Sequence, residues 1–134
     1  MGTDAVERRA LRSSDDVILA RRVVRDVAIA QGLTLVEQTK LITAASELAR
    51  NTLLHGGGGE MLVEVLHQGG RRGVKVTFID EGPGIPNIEL AMKDGFTTAG
   101  GLGLGLSGSK RLVDEFAIES NPGKGTKVMI VRWK

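Results

Sequence analysis

The sequence has no cysteine and no tyrosine, and only 3% of its residues are aromatic. Without cysteine the chain has no disulfide, no thiolate metal ligand and no cysteine nucleophile, which fits a cytosolic protein. So few aromatic rings leave little material for stacking on nucleic-acid bases, and a formal net charge of +2 is too small to hold a polyanion. We therefore expect no nucleic-acid partner.

Long hydrophobic runs are also missing. No apolar stretch approaches the roughly 18 residues that a membrane-spanning helix needs, and the N-terminal residues contain no hydrophobic signal segment. We expect a cytoplasmic protein without a membrane partner. The length of 134 residues, with 41% hydrophobic and 25% charged residues, predicts one globular domain over residues 1–134.

Glycine, in contrast, is abundant and unevenly placed. Two of the 19 glycines precede position 56, and the other seventeen lie between Gly56 and Gly125. The chain therefore divides into a helical first part and a glycine-punctuated second part.

Helices are predicted from apolar periodicity and from residues typical of helix starts. Ser13 and Ser14 before Asp15 and Asp16 favour the first start, and Thr34 with Glu37 forms a capping-box pattern at the second. The predicted helices cover residues 13–32, 35–55, 86–94 and 104–116, with a glycine-rich loop at 95–103.

Strands are predicted where apolar residues alternate with polar ones. These segments cover residues 4–12, 61–67, 73–80, 117–120 and 126–133. Residues 4–12 are so charged that we expect them at a sheet edge, and Gly69-Gly70 is typical of a hairpin turn. The order predicts an α+β, two-layer α/β sandwich, in which helices cover one face of a mixed, mostly antiparallel sheet.

The second predicted helix carries Glu47, Asn51 and His55 at a spacing of four residues, which places them on one side. A carboxylate one turn before a carboxamide puts a possible base beside a neutral oxygen ligand. A solvent-facing polar stripe is the alternative interpretation.

Asp80 ends a predicted strand and is followed by Glu81-Gly82-Pro83-Gly84. A carboxylate in this position can accept a hydrogen bond from an exocyclic amine, and the glycines let a flat ring approach the backbone. An ordinary Asx turn fits the same residues.

A loop with the sequence GGLGLGL, from Gly100 to Leu106, leads into the third long helix. Unsatisfied amides at a helix start attract phosphate. The pattern is neither the GxxxxGK[ST] P-loop nor a dinucleotide-binding GxGxxG after a strand. The alternative is a mobile linker.

Four motifs occur in a fixed order: ExxxN on a helix, DxGxG after a strand, GxGLGL before a helix, and GxGT before the last strand. In this order the sequence resembles the GHKL ATPase superfamily (gyrase, Hsp90, histidine kinases, MutL), whose nucleotide site is the Bergerat fold. The resemblance covers about residues 34–134. ELARNTLLHGGGG and TTAGGLGLGLSGSKRLVDEFAIES are most similar to the RsbT-type serine kinases of bacterial stressosome partner-switching cassettes.

The resemblance implies ATP and Mg²⁺ as cofactors and a role for each motif. Glu47 would be the general base, Asn51 would bind ATP and the metal, and Asp80 would bind the adenine amine. The other implied ATP-binding residues are Gly82, Gly84, Gly101, Leu102, Gly103, Leu104, Gly105 and Thr126. Lys110, Arg111 and His55 are candidate phosphate contacts. For the two cations a solvated surface is the alternative, and for His55 a helix cap.

The resemblance also implies a function: an ATP-dependent serine/threonine protein kinase that phosphorylates a STAS-domain partner in a bacterial stress-response pathway, with a downstream regulatory phosphatase. An anti-sigma factor kinase that acts mainly by sequestering a sigma factor is the alternative. A histidine-kinase catalytic domain is disfavoured, because the two histidines do not lie in an upstream dimerising helix. The charge of residues 4–12 predicts a monomer when the protein is free.

Overall fold

The computed structural model describes residues 2–85, Met92 and residues 105–134. Its helices are α1 (Ser14–Ala30), α2 (Leu35–Leu54) and α3 (Gly105–Arg111). Its strands are β1 (Gly2–Leu11), β2 (Gly59–Gln68), β3 (Arg71–Asp80), β4 (Glu115–Asn121) and β5 (Gly125–Trp133). None of the described helices has the length and hydropathy that crossing a bilayer requires.

The strands form one sheet in the order β1-β2-β3-β5-β4, and each neighbouring pair is antiparallel. β1 lies at an edge, as its charge predicts, and a register shift between Ala5 and Glu7 interrupts its pairing with β2. Such a bulge makes an edge a poorer template for another strand. The predicted α+β sandwich is confirmed, with a sheet that is antiparallel in its described strands instead of mixed.

The core lies between the helices and one face of the sheet. Alternate residues of the three central strands supply the sheet side: Met61, Val63, Val65, Val74, Val76, Phe78, Val128 and Ile130. The helix side includes Val17, Ala20, Val24, Val27, Ala28, Leu41, Ala44, Ala45, Leu48 and Ala49. Because so many of these helix residues are alanines, the α1 and α2 backbones can lie close to the sheet.

Both long helices begin where the sequence predicts. Ser13 Oγ accepts a hydrogen bond of 3.3 Å from the Asp16 amide. Thr34 Oγ1 accepts one of 3.1 Å from the Glu37 amide, and Glu37 Oε1 accepts one of 2.7 Å from the Thr34 amide. The reciprocal pair is a complete capping box, which fixes the start of the helix that carries the candidate residues.

The helix predicted at 104–116 is shorter than expected. It ends at Arg111, whereas the apolar spacing predicts a helix to Phe116. The Asp114 amide donates to the Val131 carbonyl at 2.9 Å, and Phe116 lies opposite Ile130 as a strand residue that packs on the core. The prediction was wrong because the apolar spacing of a short segment fits both the helical period and the strand period. The helix predicted at 86–94 and the loop at 95–103 lie outside the described residues, apart from Met92.

Trp133 is the only tryptophan of the sequence, and it lies on the face of the sheet opposite the helices. It pairs with Gly73 of β3, and its side chain points to the opposite face from that of its neighbour Arg132. Its ring is buried against Gly73, and its Nε1–H donates to Glu115 Oε2 at 2.6 Å. The Arg71 guanidinium carbon lies 4.9 Å from the ring centroid, a cation–π distance. This cluster is at the end of β5 remote from Thr126.

Candidate functional site

The C-terminal half of α2 carries the first candidate residues. Glu47 is only 9% exposed, although it is charged, and its Oε1 accepts a hydrogen bond of 3.3 Å from Arg50 Nη1. Arg50 itself is half exposed. A carboxylate is seldom buried this far, because removal from water has to be offset by several partners. Glu47 therefore does not belong to a solvent-facing stripe.

Asn51 and His55 follow Glu47 toward the end of the helix. The Asn51 side chain is half-buried, and its backbone carbonyl accepts from the His55 amide at 2.9 Å and the Gly56 amide at 3.2 Å. His55 is exposed and occupies the C-cap of α2, the position that the cap interpretation predicts. α2 therefore presents a buried carboxylate and a half-buried carboxamide one turn apart, just before a glycine segment.

Asp80 ends β3 beside that glycine segment. Its Oδ1 accepts a hydrogen bond of 2.9 Å from the Gly82 amide, which is the Asx turn named as the alternative. Its side chain also lies over Gly56, where an added Cβ would be 2.5 Å from Oδ2. The turn thus fixes the carboxylate orientation without moving it away from the end of α2, so the turn and a binding role are compatible.

Gly82 and Gly84 shape the turn after Asp80. A Cβ on Gly82 would lie 2.6 Å from the Gly56 carbonyl oxygen, so only glycine fits there. Gly84 has a φ of +80°, and a Cβ on it would collide with the Asn121 carbonyl oxygen. The backbone here is packed against two other segments, and this packing within the protein requires glycine at both positions.

Thr126 lies directly opposite Asp80 in the pairing of β3 with β5, and Ser120 of β4 lies opposite Thr126. The three residues form one row across the end of the sheet. The Thr126 and Ser120 hydroxyl oxygens are 2.9 Å apart, and Ser120 Oγ accepts from the Ile85 amide at 2.7 Å. Ser120 was not among the predicted site residues. Its signal in the sequence is a polar residue two positions after Ile118, on the inward face of a predicted strand.

The glycine-rich loop and its helix are described only in part. Gly101, Leu102, Gly103 and Leu104 lie outside the described residues, and Gly105 begins α3. α3 packs on α2, with Ser109 fully buried. Lys110 and Arg111 are exposed in its last turn. The structure thus places the phosphate candidates of this helix at its C-terminal end, away from its first turn.

The described candidates converge at Gly56. The end of α2, the turn after Asp80 and the row containing Thr126 meet around this glycine, because Asp80 and Gly82 both pack on it. One side of the site offers carboxylate and hydroxyl oxygens beside bare backbone, which suits a flat ring carrying an amine. The other side offers the buried carboxylate of Glu47 and the side-chain amide oxygen of Asn51.

Comparison with known proteins gives concordant results. The family model described as "Histidine kinase-, DNA gyrase B-, and HSP90-like ATPase" matches residues 36–134. The chain is 46% identical over 118 residues to the serine/threonine-protein kinase RsbT of Bacillus subtilis (strain 168), a match that covers 88% of this chain and 89% of that relative. It is 34% identical over 137 residues to an anti-sigma F factor of Thermoanaerobacter sp. (strain X514), covering 98% and 94% of the two chains.

A solved structure is similar in fold. The crystal structure of the RsbU and RsbW domains of Rv1364c from Mycobacterium tuberculosis matches all of this chain with a TM-score of 0.65 and 17% identity. The match covers 33% of that longer chain. At this identity the likeness shows a shared fold.

Proposed function

Because the chain belongs to the histidine kinase-, DNA gyrase B- and HSP90-like ATPase family, we propose that it is an ATP-dependent serine/threonine protein kinase of a bacterial partner-switching pathway. The 46% identity to a serine/threonine-protein kinase, over most of both chains, supports this activity. The observation that carries the proposal is the meeting of α2 and the Asp80 turn at Gly56, with buried Glu47 on the same helix.

Asp80 and the bare turn form the adenine end of the site. The carboxylate accepts a hydrogen bond from the 6-amine, and its Oδ1 is already oriented by the Gly82 amide. The ring lies beside Gly82 and Gly84, where side chains are excluded. Thr126, opposite Asp80, contributes a hydroxyl to the same edge of the ring.

Asn51 is the residue that fits Mg²⁺ at the phosphate end. Mg²⁺ takes oxygen ligands, keeps several waters and uses few protein ligands, which suits one half-buried amide beside nucleotide phosphates. When bound, the ion neutralises charge on the phosphates. The residues assigned to the lid are Gly101, Leu102, Gly103, Leu104 and Gly105, with Lys110, Arg111 and His55 as further phosphate contacts.

Glu47 is assigned as the general base. It accepts the proton of a serine or threonine hydroxyl of the substrate protein while that oxygen bonds to the γ-phosphorus. The bond to the β–γ bridging oxygen breaks, and ADP is the leaving group. Arg50 contacts one carboxylate oxygen at 3.3 Å, and we assign the other oxygen as the proton acceptor.

The partner assignment follows the motif resemblance. We assign a STAS-domain protein as the phosphorylated partner and a regulatory phosphatase as the downstream protein, in a cytoplasmic stressosome-type stress response. The chain acts as a monomer when free in this proposal, because the edge strand β1 is charged and bulged.

A second candidate function rests on the other class of relatives. The 34% identity to an anti-sigma F factor extends over 98% of this chain, which favours an anti-sigma factor kinase that acts mainly by sequestering a sigma factor. In that case a sigma subunit binds the chain tightly in the presence of nucleotide. Co-purification with a sigma subunit instead of a STAS-domain protein would select this alternative.

The test is phosphate transfer from radiolabelled ATP to the proteins encoded beside the gene, scored for phosphate on serine or threonine. The wild-type chain is expected to label one of them on serine or threonine, and Glu47→Ala is expected to lower the rate about 1,000-fold because general-base catalysis is lost. ATP affinity should change little. Glu119→Ala is the matched control, since this exposed carboxylate lies on the opposite face of the sheet.

The opposing outcomes are distinct. Wild-type transfer rates in Glu47→Ala would remove the role assigned to Glu47. ATP binding without any labelled protein, together with capture of a sigma subunit, would replace the kinase proposal with the sequestration alternative.

A further inference from the structure

The exposed side of α2 borders the buried carboxylate of Glu47. Residues at helical spacing form a line along this side, and each of them is exposed: Val36, Lys40, Thr43, Arg50 and Leu54. The line is interrupted between Thr43 and Arg50, where the helical spacing falls on Glu47, which is only 9% exposed. A protein that covers this side of the helix therefore lies next to the residue assigned as general base.

Arg50 has hydrogen-bond donors that its contact with Glu47 does not use. Its Nη1 lies 3.3 Å from Glu47 Oε1, and half of its side chain is exposed. A guanidinium carries five N–H donors. Among the described residues, the bond to Glu47 is the one hydrogen bond that the Arg50 side chain makes. The remaining donors are available to a partner beside the carboxylate.

Leu54 lies one turn after Arg50, so the two side chains are neighbours on the helix surface. It is a large apolar side chain that is 60% exposed. Its apolar surface gains free energy when a docked protein removes it from water. Arg50 and Leu54 together offer a charged and an apolar contact within one turn.

The exposed charges of α2 and α3 have one sign. In the described residues of these two helices they are Lys40, Arg50, Lys110 and Arg111. The two acids of α2 do not balance them at the surface, because Glu37 accepts from the Thr34 amide and Glu47 is buried. α1, which packs along α2, carries three aspartates and three arginines and leaves the sign unchanged. This charge favours an acidic partner surface.

We propose that Arg50 and Leu54 dock the protein that receives the phosphate, and that Arg50 binds a carboxylate of that protein close to the phosphorylated hydroxyl. This inference rests on the proposed kinase function. A hydroxyl within reach of Glu47 brings its neighbouring residues over Arg50, because Arg50 follows Glu47 by one turn. A charge-assisted hydrogen bond to Arg50 then selects an acceptor site flanked by Asp or Glu and disfavours one flanked by a cation.

The experiment measures the transfer rate against the concentration of the acceptor protein, which is the protein that the wild-type chain labels from radiolabelled ATP. Arg50→Ala is expected to raise the half-saturating acceptor concentration about 10- to 100-fold, because a hydrogen bond to a charged group is lost. Leu54→Ala should raise it about fivefold. The calorimetric affinity for ATP should equal that of wild type in both variants.

Matched controls remove the same side chains elsewhere. Arg72 is exposed in the hairpin between β2 and β3, and Leu35 is 76% exposed at the start of α2, about 28 Å along the helix from Leu54. Arg72→Ala and Leu35→Ala should keep the wild-type acceptor concentration. Arg50→Lys retains the charge and should lose less than Arg50→Ala.

A double-mutant cycle tests the partner carboxylate directly. Each Asp or Glu close to the labelled residue of the acceptor is replaced by Asn or Gln in turn. One of these replacements should weaken docking to the wild-type kinase as much as Arg50→Ala does, and should cause no further loss when combined with Arg50→Ala.

Three results would overturn the inference. The first is an unchanged half-saturating acceptor concentration in Arg50→Ala, or in Arg50→Gln if the alanine variant does not fold. The second is a lower maximal rate at an unchanged half-saturating concentration, which means that Arg50 acts only through Glu47. The third is a cycle in which no acidic residue of the acceptor is coupled to Arg50. Each of these leaves the kinase activity standing, whereas ATP binding without any labelled protein removes both proposals.

Discussion

The base end of the proposed site is built from backbone and short side chains tied to one another, whereas Glu47 and Asn51, the described residues assigned to proton transfer and metal binding, are side chains of one helix. At the base end the turn after Asp80 is held by bonds to Asp80 itself, to Ser120 and, through Pro83, to the Gly123 amide at 2.7 Å. At the phosphate end Glu47 accepts a single side-chain hydrogen bond among the described residues, of 3.3 Å from a half-exposed arginine.

The difference indicates how each end meets its ligand. A base that is the same in every ATP molecule suits a rigid, preformed surface. Side chains that take part in proton transfer and metal binding need freedom to adjust when nucleotide and protein substrate arrive. Substitutions at the base end should therefore act on nucleotide affinity, and those at the phosphate end on the rate of transfer.

The largest effect in this comparison is expected for Gly84→Ala. Alanine in the left-handed region costs about 1–2 kcal/mol, and the collision with Asn121 moves the turn as well. We expect the displaced turn to weaken ATP binding about 100-fold, while the backbone strain lowers the free energy of unfolding. Calorimetry measures the affinity.

Gly69→Ala is the matched control for this prediction. Gly69 has a φ of +57° in the β2–β3 turn, with open space around the added Cβ. Gly69→Ala should lower the free energy of unfolding by a similar amount, because its backbone is also in the left-handed region, and it should keep wild-type ATP affinity. Equal losses of affinity in both variants would show that the base end is not the rigid element described above.

An intermediate effect is expected for Asn51→Ala. Loss of the amide oxygen should lower transfer about 10- to 100-fold and raise the Mg²⁺ concentration needed for half-maximal activity, because the metal loses a protein ligand. A Mg²⁺ titration of the transfer rate checks this. Thr43→Ala, at an exposed residue about two turns before Asn51, should behave as wild type. An unchanged Mg²⁺ dependence in Asn51→Ala would contradict the ligand assignment.

The smallest effect is expected for Thr34→Ala, at the far end of α2. Loss of the capping box should lower the free energy of unfolding by about 1 kcal/mol. ATP affinity and transfer rate should stay at wild-type values. Urea unfolding measures the stability, and Thr34→Ser should restore it. A fall in the transfer rate larger than the lost stability explains would show that the start of α2 is coupled to the site. That result would contradict the comparison between the two ends of the site.

Most of the fold was predictable because its signals are local. The capping box at Thr34, the charged edge strand and the hairpin at Gly69-Gly70 are each encoded within a few residues. The end of α3 was not predictable, because the pairing of Asp114 with Val131 joins residues that are distant in sequence.

The residues of the site were predictable to different degrees, because some of their relations are local in the sequence and others form only in the folded chain. Glu47 and Asn51 share one helix, so their spacing reveals their relation. Ser120 meets Ile85 only through the folded sheet, across 35 positions of sequence, and no local pattern connects them. The burial of Glu47 also depends on tertiary packing, which the helical spacing alone does not specify.

The cluster around Trp133 gives the molecule a spectroscopic property. With one tryptophan and no tyrosine in the sequence, near-ultraviolet emission arises almost wholly from a single buried indole. That indole lies seven residues along β5 from Thr126, or about 23 Å at the usual rise of a strand. Its fluorescence therefore reports the integrity of the sheet at a distance from the nucleotide, and unfolding and ligand binding can be followed as separate signals.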